Sequence, residues 1–292
     1  MASALMGRSP DDLRRVCEDI AVEAANLVRS YRSGAGSRVG VTETKSSAVD
    51  PVTEIDRASE ALIRERIRAH VSVTGASDVI LGEEEGGEIL DGRVTWVVDP
   101  VDGTVNLIYG IPASAVSIAA TVDGVPVAGA VADIARHRVV SACAGGPARI
   151  SWTRGDRDDQ LLPRWGAEDP ADFSRALIGT GFSYRAENRA AQAELLGELL
   201  PQIRDIRRIG SAALDLCAVA AGRIDGYFEH GLGPWDHAAG ALIAARSGAV
   251  VHMPRLSAGY GDGIPVVAAA PSVVGDLAGV VVGTHIPEGQ KS

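Results

Sequence analysis

Asp99-Pro-Val-Asp-Gly-Thr-Val-Asn106, entered from the apolar run Val94-Thr-Trp-Val-Val98, decides how the rest of the chain is read. The β-branched and aromatic run closed by Asp-Pro predicts a buried strand that delivers Asp99 to the rim of a sheet. Pro100 fixes φ and removes a donor, Gly103 permits a tight turn or close backbone approach, and Thr104 can cap a helix beginning Val105-Asn-Leu-Ile108. Such a loop offers two carboxylates and a backbone carbonyl to a hard cation, and helix-start amides to an anion. It predicts metal-assisted phosphate chemistry, although Asp-Pro and Asp-Gly are also ordinary turn punctuation.

Downstream, Ala115–Val122, the Asp123-Gly124 turn and Val125–Val131 predict a β-hairpin, and Arg138–Ala142 a further strand. Antiparallel neighbours, with no Gly-x-Gly-x-x-Gly or Gly-x-x-x-x-Gly-Lys sequence, argue against an all-parallel dinucleotide-binding sheet. Upstream, Val79-Ile-Leu-Gly82 predicts a short strand that presents Glu83, Glu84 and Glu85 at its end, where an acid run otherwise reads as a solvated face. Ser9-Pro10-Asp11-Asp12 opens an amphipathic helix with Leu13, Val16, Ile20, Leu27 and Tyr31 on its apolar stripe and Arg14, Arg15, Glu18 and Arg29 off it. Residues 33–40 read as a loop and 41–45 as an edge strand. Thr53 caps a second helix carrying Ile55, Leu62, Ile63 and Ile67. That places Asp56 at its third position, where it also reads as a partner of the helix dipole.

The second half predicts a strand over 175–178, a helix over 190–200, a buried helix over 212–221, a strand over 224–229 and a buried helix over 238–246. Strands over 249–252 and 266–269 and a helix over 273–282 follow. Asp236, in the turn before the 238–246 helix, reads equally as its N-cap or as a ligand. Residues 145–166 read as irregular. The expected fold class is α/β: an alternating layered arrangement with a mixed, partly antiparallel sheet and no clean linker, taken as a single domain over 1–292 with subregions near 9–143 and 170–283.

The 292 residues are 46% hydrophobic and 23% charged, ordinary globular values. A net charge of -10 argues against nucleic acid or an anionic membrane as the main partner. The three cysteines, Cys17, Cys143 and Cys217, lie far apart without a Cys-x-x-Cys pair, so neither a disulfide framework nor structural zinc is indicated. The first residues lack the apolar core of a signal peptide, and Pro265, Pro271 and Asp276 interrupt the stretch 264–283. A cytoplasmic protein without a membrane span is expected.

Glu83, Asp99, Asp102 and Asp236 each sit at the start or end of a predicted buried element. If those ends meet, like charges share one cleft and need cations to stay ionised. Oxygen-only ligation selects Mg²⁺, Mn²⁺ or Ca²⁺ over zinc. His237 beside Asp236 reads as a bystander on the same ground.

Gly82-Glu83-Glu84, Asp99-Pro-Val-Asp-Gly-Thr104-Val-Asn106 and Pro234-Trp235-Asp236-His-Ala-Ala-Gly240 resemble, in order and spacing, the three signatures of the inositol monophosphatase family. Lys45-Ser-Ser-Ala-Val-Asp50-Pro-Val-Thr53-Glu-Ile-Asp56 and Arg208-Ile-Gly-Ser-Ala-Ala-Leu-Asp-Leu-Cys217 match further blocks. The match runs from about Asp11 to the last helix and is closest to the bacterial SuhB-type branch. The resemblance implies the αβαβα sandwich shared with fructose-bisphosphatase, a homodimer, and Li⁺-sensitive, Mg²⁺-dependent hydrolysis of a phosphate monoester with two or three ions, Mn²⁺ substituting. By matched position, Glu83, Asp99, the Val101 carbonyl, Asp102 and Asp236 are the implied metal ligands. Asp56 and Thr104 are implied to activate the attacking water, with Glu84 a further catalytic candidate. The Gly103 and Thr104 amides are implied to hold the phosphate, and Gly210, Ala212 and Glu229 the inositol hydroxyls.

The expected activity is hydrolysis of myo-inositol 1-phosphate. Histidinol phosphate, fructose 1,6-bisphosphate or a 3′-phosphonucleotide are alternative substrates, and a regulatory protein-binding role is an alternative of a different class. Val105, Leu107 and Ile108-Tyr109 depart from the family pattern along one cleft wall, and residues 142–165 lack its Gly-rich stretch.

Overall fold

The computed structural model describes residues 5–34, 43–44, 51–153, 159–162, 165, 172–257 and 263–282. Lys45 and Asp50 of the quoted motif, most of the predicted loop over 33–40 and the first four residues lie outside that set.

The chain opens with helix α1 (Pro10–Gly34), the short pair β1 (Glu43–Thr44) and β2 (Pro51–Val52), and helix α2 (Glu54–Thr74). Strands β3 (Val79–Gly82) and β4 (Val94–Asp102) follow, then α3 (Thr104–Tyr109), β5 (Ala115–Val122), β6 (Val125–Asp133), β7 (Arg138–Cys143), β8 (Arg149–Trp152) and β9 (Gln160–Leu161). The second half comprises β10 (Leu177–Thr180), α4 (Ala186–Leu199), β11 (Asp205–Arg207), α5 (Ala212–Ala220), β12 (Gly226–Glu229), α6 (Pro234–Arg246), β13 (Val250–His252), β14 (Val266–Ala269) and α7 (Val274–Val281).

The larger strands form two separate mixed sheets. A 7-stranded sheet runs in sequence order from β3 to β9, with only β3–β4 parallel; a 5-stranded sheet has the order β11-β10-β12-β14-β13. Side chains alternate across both. Val94, Trp96 and Val98 of β4 join Ile118 in a core with α1 and α2, while Val97 and Ala119 face the other way. There they meet the small-residue helices α5 and α6, together with Tyr227, Val266 and Ala268 of the second sheet. Phe228, Val267 and Ala269, one residue out of step, pack with α4 and α7. The layers therefore alternate as helices, sheet, helices, sheet, helices, the α/β arrangement expected.

Several local readings change. β8 and β9 extend the first sheet into the stretch read as irregular. The helix read from 190 begins at Ala186, and the strand read over 175–178 lies over Leu177–Thr180 after a 3-10 turn. Arg14 and Glu18, read as off the buried stripe of α1, are buried: Arg14 pairs with Glu18 at 2.5 Å and reaches Ser141 Oγ of β7 at 3.2 Å. Neutralisation within the pair permits that burial. Tyr31, assigned to the stripe, is exposed.

Candidate active site

The segment Asp99-Pro-Val-Asp102 is not a loop after β4 but its bulged end. Asp99 pairs with Ser117 and Asp102 with Ala115, so three steps along β4 answer two along β5. Residues three apart face opposite sides of a regular strand; the extra residue restores both carboxylates to one side. The Val101 amide donates to Asp99 Oδ1 at 2.9 Å across this bulge. Gly103 then takes φ +92, with no room for a Cβ, which would stand 2.8 Å from the Ala113 carbonyl oxygen. Gly103, not Thr104, is the N-cap of α3, leaving the Thr104 hydroxyl for another partner.

The third carboxylate comes from the central helical layer that packs against this sheet. Helix α6 begins at Pro234, four residues before the predicted start, so Asp236 occupies its third position rather than the N-cap. Its Oδ2 accepts from the Gly233 amide at 2.6 Å. Oxygens of Asp99, Asp102 and Asp236 all lie within 4.8 Å of one another. Burial, followed by the charges of Glu83 and Asp102, holds Asp236 well above the ordinary carboxylate range. Burial likewise pushes Asp102 up to about 6, against the hydrogen bonds its Oδ2 accepts at 2.7 Å each from Ser211 Oγ and the Ala213 amide. Ser211 is also the N-cap of α5.

Glu83, half-buried just beyond β3, acts electrostatically on Asp236 but stands outside the group of three. Its amide donates to the Val98 carbonyl at 3.1 Å. Glu84 is fixed through its own amide, which donates to Glu60 Oε2 at 2.9 Å.

Thr53 caps α2 as read from sequence, and Asp56 completes the capping box from the third position. Fully buried Asp56 spends Oδ2 on the Thr53 amide at 2.9 Å and on the Thr53 hydroxyl, and turns Oδ1 to Thr104 Oγ1 at 2.8 Å. The one Thr104 hydroxyl proton thus lies between Asp56 and the Val101 carbonyl, 3.0 Å away. Ser59, one helical turn on, donates to the Pro100 carbonyl at 3.0 Å, pinning the bulge to α2.

The second half closes over this end. Asn106 Nδ2 lies 2.8 Å from the Ala113 carbonyl and 2.9 and 3.2 Å from those of Ile209 and Gly210, joining α3 to the turn before Ala212. Glu229, at the end of β12, accepts from the Tyr227 hydroxyl at 2.5 Å, and burial pushes its carboxyl up to about 7. His237 is buried and driven down to about 4 by that burial, a neutral imidazole.

Four contributors escape the sequence reading. Asp215 of α5 is buried and raised well above the ordinary range by burial and by Glu229 and Asp102; the positive charge of Arg208 opposes the shifts of all three acids. Both lie in the quoted 208–217 block, but only their neighbours in space give them meaning. Glu60 and Arg64 lie on α2, and their spacing from Asp56 supplies a signal: positions i, i+4 and i+8 share one helical face.

A model of the inositol monophosphatase family matches residues 9–282. The inositol-1-monophosphatase SuhB of Mycobacterium tuberculosis (H37Rv) is 50% identical over 279 residues, covering 92% of each chain. The Nus factor SuhB of Pasteurella multocida is 37% identical over 262 residues, covering 89% of this chain and 93% of that one. The solved structure of M. tuberculosis SuhB superposes with a TM-score of 0.76 at 46% identity, covering 96% of this chain and 99% of that chain.

Proposed function

The chain belongs to the inositol monophosphatase family, and we propose that this phosphatase is a Mg²⁺-dependent phosphomonoesterase that hydrolyses myo-inositol 1-phosphate to myo-inositol and phosphate. The observation that carries the reading is the approach of Asp99, Asp102 and Asp236 to within 4.8 Å of one another. Carboxylates so close, two of them raised in pKa, fit a hard divalent cation: the donors are all oxygen and their repulsion needs a counter-charge.

In this reading Glu83, Asp99, Asp102, Asp236 and the Val101 carbonyl hold two or three Mg²⁺, with Mn²⁺ an acceptable substitute. The bound cations supply charge neutralisation and a lowered pKa for the attacking water. Asp56 and Thr104 form the proton path: Thr104 Oγ1 takes a proton from the water and passes its own to Asp56 Oδ1, 2.8 Å away. Glu84 remains a secondary catalytic candidate, anchored to Glu60 by its amide. The Gly103 and Thr104 amides receive the phosphate, and Gly210, Ala212 and Glu229 the sugar-alcohol hydroxyls. A carboxylate suits a polyol because it accepts from vicinal hydroxyls.

Asp99 and Asp102 come from the first sheet and Asp236 from the layer beneath it, which supports treating residues 1–292 as one functional unit. We take that unit to be a cytoplasmic homodimer; among the described residues no helix is long and apolar enough to cross a membrane. A second reading, a regulatory protein-binding role with phosphatase activity secondary to it, is favoured by the relatives named Nus factor SuhB.

Side-by-side assays with Mg²⁺ on inositol 1-phosphate, histidinol phosphate, fructose 1,6-bisphosphate and a 3′-phosphonucleotide test the proposal. Inositol 1-phosphate is expected to give the highest kcat/KM, with inhibition by millimolar Li⁺. Preference for another substrate would transfer the assignment to it, and no turnover on any would overturn the proposed hydrolysis.

A further inference from the structure

Glu60 is 1% exposed beneath a turn carrying three acids, a costly place for a negative charge unless it is fully satisfied. It is. Its Oε2 accepts from the Glu84 amide at 2.9 Å, and its Oε1 from the Glu85 amide at 3.1 Å and from Arg64 Nε at 2.8 Å. Arg64 in turn donates through Nη2 to the Gly86 carbonyl at 2.9 Å. The turn is closed from Gly82 to Gly86 by paired backbone bonds of 3.1 and 3.0 Å. A Cβ at Gly82 would overlap the Glu60 carboxylate, so the glycine at this strand end is what admits Glu60.

Glu83 is thereby gripped from both sides. Its own amide is bonded to Val98, one residue before Asp99, and the next two amides are bonded to Glu60. A solvated acid run needs no such anchorage. The same face of α2 carries Asp56, bonded to Thr104, and Ser59, bonded to Pro100.

We infer that Glu60, braced by Arg64, is a positioning residue that fixes the Glu83 turn against the bulged end of β4 and thereby sets the affinity for the divalent cation. The inference rests on Glu83 being a ligand in the proposed function. It requires Glu60 to act through Glu83, which a purely structural role does not.

Mn²⁺ titrations of the full chain, reading free Mn²⁺ by electron paramagnetic resonance, test it on wild type, Glu60→Gln, Glu83→Gln and the double variant. Glu60→Gln is expected to weaken Mn²⁺ binding about ten-fold or more, the scale of lost outer-shell support. In the Glu83→Gln background the same change is expected to add less than about two-fold, since coupled groups are not additive. Unchanged affinity in Glu60→Gln, or the same loss in both backgrounds, overturns the inference. Should Glu60→Gln not fold, Arg64→Lys, which keeps the charge opposite Glu60 and loses the bond to Gly86, carries the cycle with the same criteria. A wild type that binds no Mn²⁺ overturns the metal reading itself, and the inference with it.

Discussion

Ser211 Oγ donates to Asp102 Oδ2 at 2.7 Å, tying the bulged end of β4 in the first sheet to the N-cap of α5 in the central layer. The Ala213 amide donates to the same oxygen at 2.7 Å. The same carboxylate therefore both ties the fold together and stands with Asp99 and Asp236 in the acidic cluster.

Asp102→Asn keeps an acceptor for both donors while removing a charge from the cluster. The fold is expected to survive, with a thermal midpoint in chelator at or above that of wild type. Turnover with Mg²⁺ is expected to fall about 100-fold or more, the equivalent of several kcal/mol of lost charge stabilisation. Near-normal kinetics in this variant would remove Asp102 from the metal site.

Thr104 sits between two acceptors, Asp56 Oδ1 at 2.8 Å and the Val101 carbonyl at 3.0 Å. Thr104→Ala breaks the proposed proton path and is expected to lower kcat about 100-fold, within the usual range for general acid–base catalysis, with a much smaller change in KM. Thr104→Ser restores the hydroxyl and most of the rate. A large loss in Thr104→Ser, or a pure KM effect in Thr104→Ala, would assign Thr104 to binding instead.

Stability of metal-stripped protein should depend on pH in a defined sense. Burial raises Asp102 from 3.8 to about 6 and Glu229 from 4.5 to about 7. Both hold protons in the folded state at pH values where the unfolded chain has released them, so their contribution is present at low pH and lost as pH rises through about 4 to 7. His230 and His237, lowered from 6.5 to about 4 by burial, act in the opposite sense. Cations favour the ionised carboxylates. The gap in thermal midpoint between Mg²⁺-saturated and chelated protein should therefore widen with pH across that window; a gap independent of pH would detach the raised acids from metal binding.

Away from the cleft, Asp78 receives Arg8 through both oxygens at 2.6 and 2.8 Å and Trp96 Nε1 at 2.9 Å, with the ion pair almost wholly buried. Asp78→Ala strands a buried guanidinium and should cost about 3–5 kcal/mol, read from the urea midpoint. Turnover below the unfolding transition should be unchanged. A loss under 1 kcal/mol would show that Arg8 finds water or another acceptor.

Residue types and local spacing were enough to mark the strand entering Asp99, the Asp123-Gly124 hairpin, the Thr53 cap with Asp56 at the third position of its helix, and the small-residue helix after Ser211. Each is set by contacts within a few positions of itself. Boundaries that moved have the same explanation in reverse. Pro234 starts α6 early because a proline at the first turn loses no hydrogen bond, so Asp236 became a third-position residue aimed at the cleft. Arg14 and Glu18 read as surface residues because their shared burial, and their contacts with Ser141, depend on β7 more than a hundred positions away.

What the sequence determined by itself is the chemistry on offer: oxygen donors at the ends of buried elements, a glycine-threonine turn, and no Cys-x-x-Cys pair competing for the role. What the tertiary structure alone decided is convergence. The bulge between Asp99 and Asp102 cancels the two-residue alternation that would have put them on opposite faces, α6 brings Asp236 up from the next layer, and α2 lays Asp56, Ser59 and Glu60 under all of it. Those relationships arise from packing between elements distant in the chain, and periodicity within one element carries no record of them.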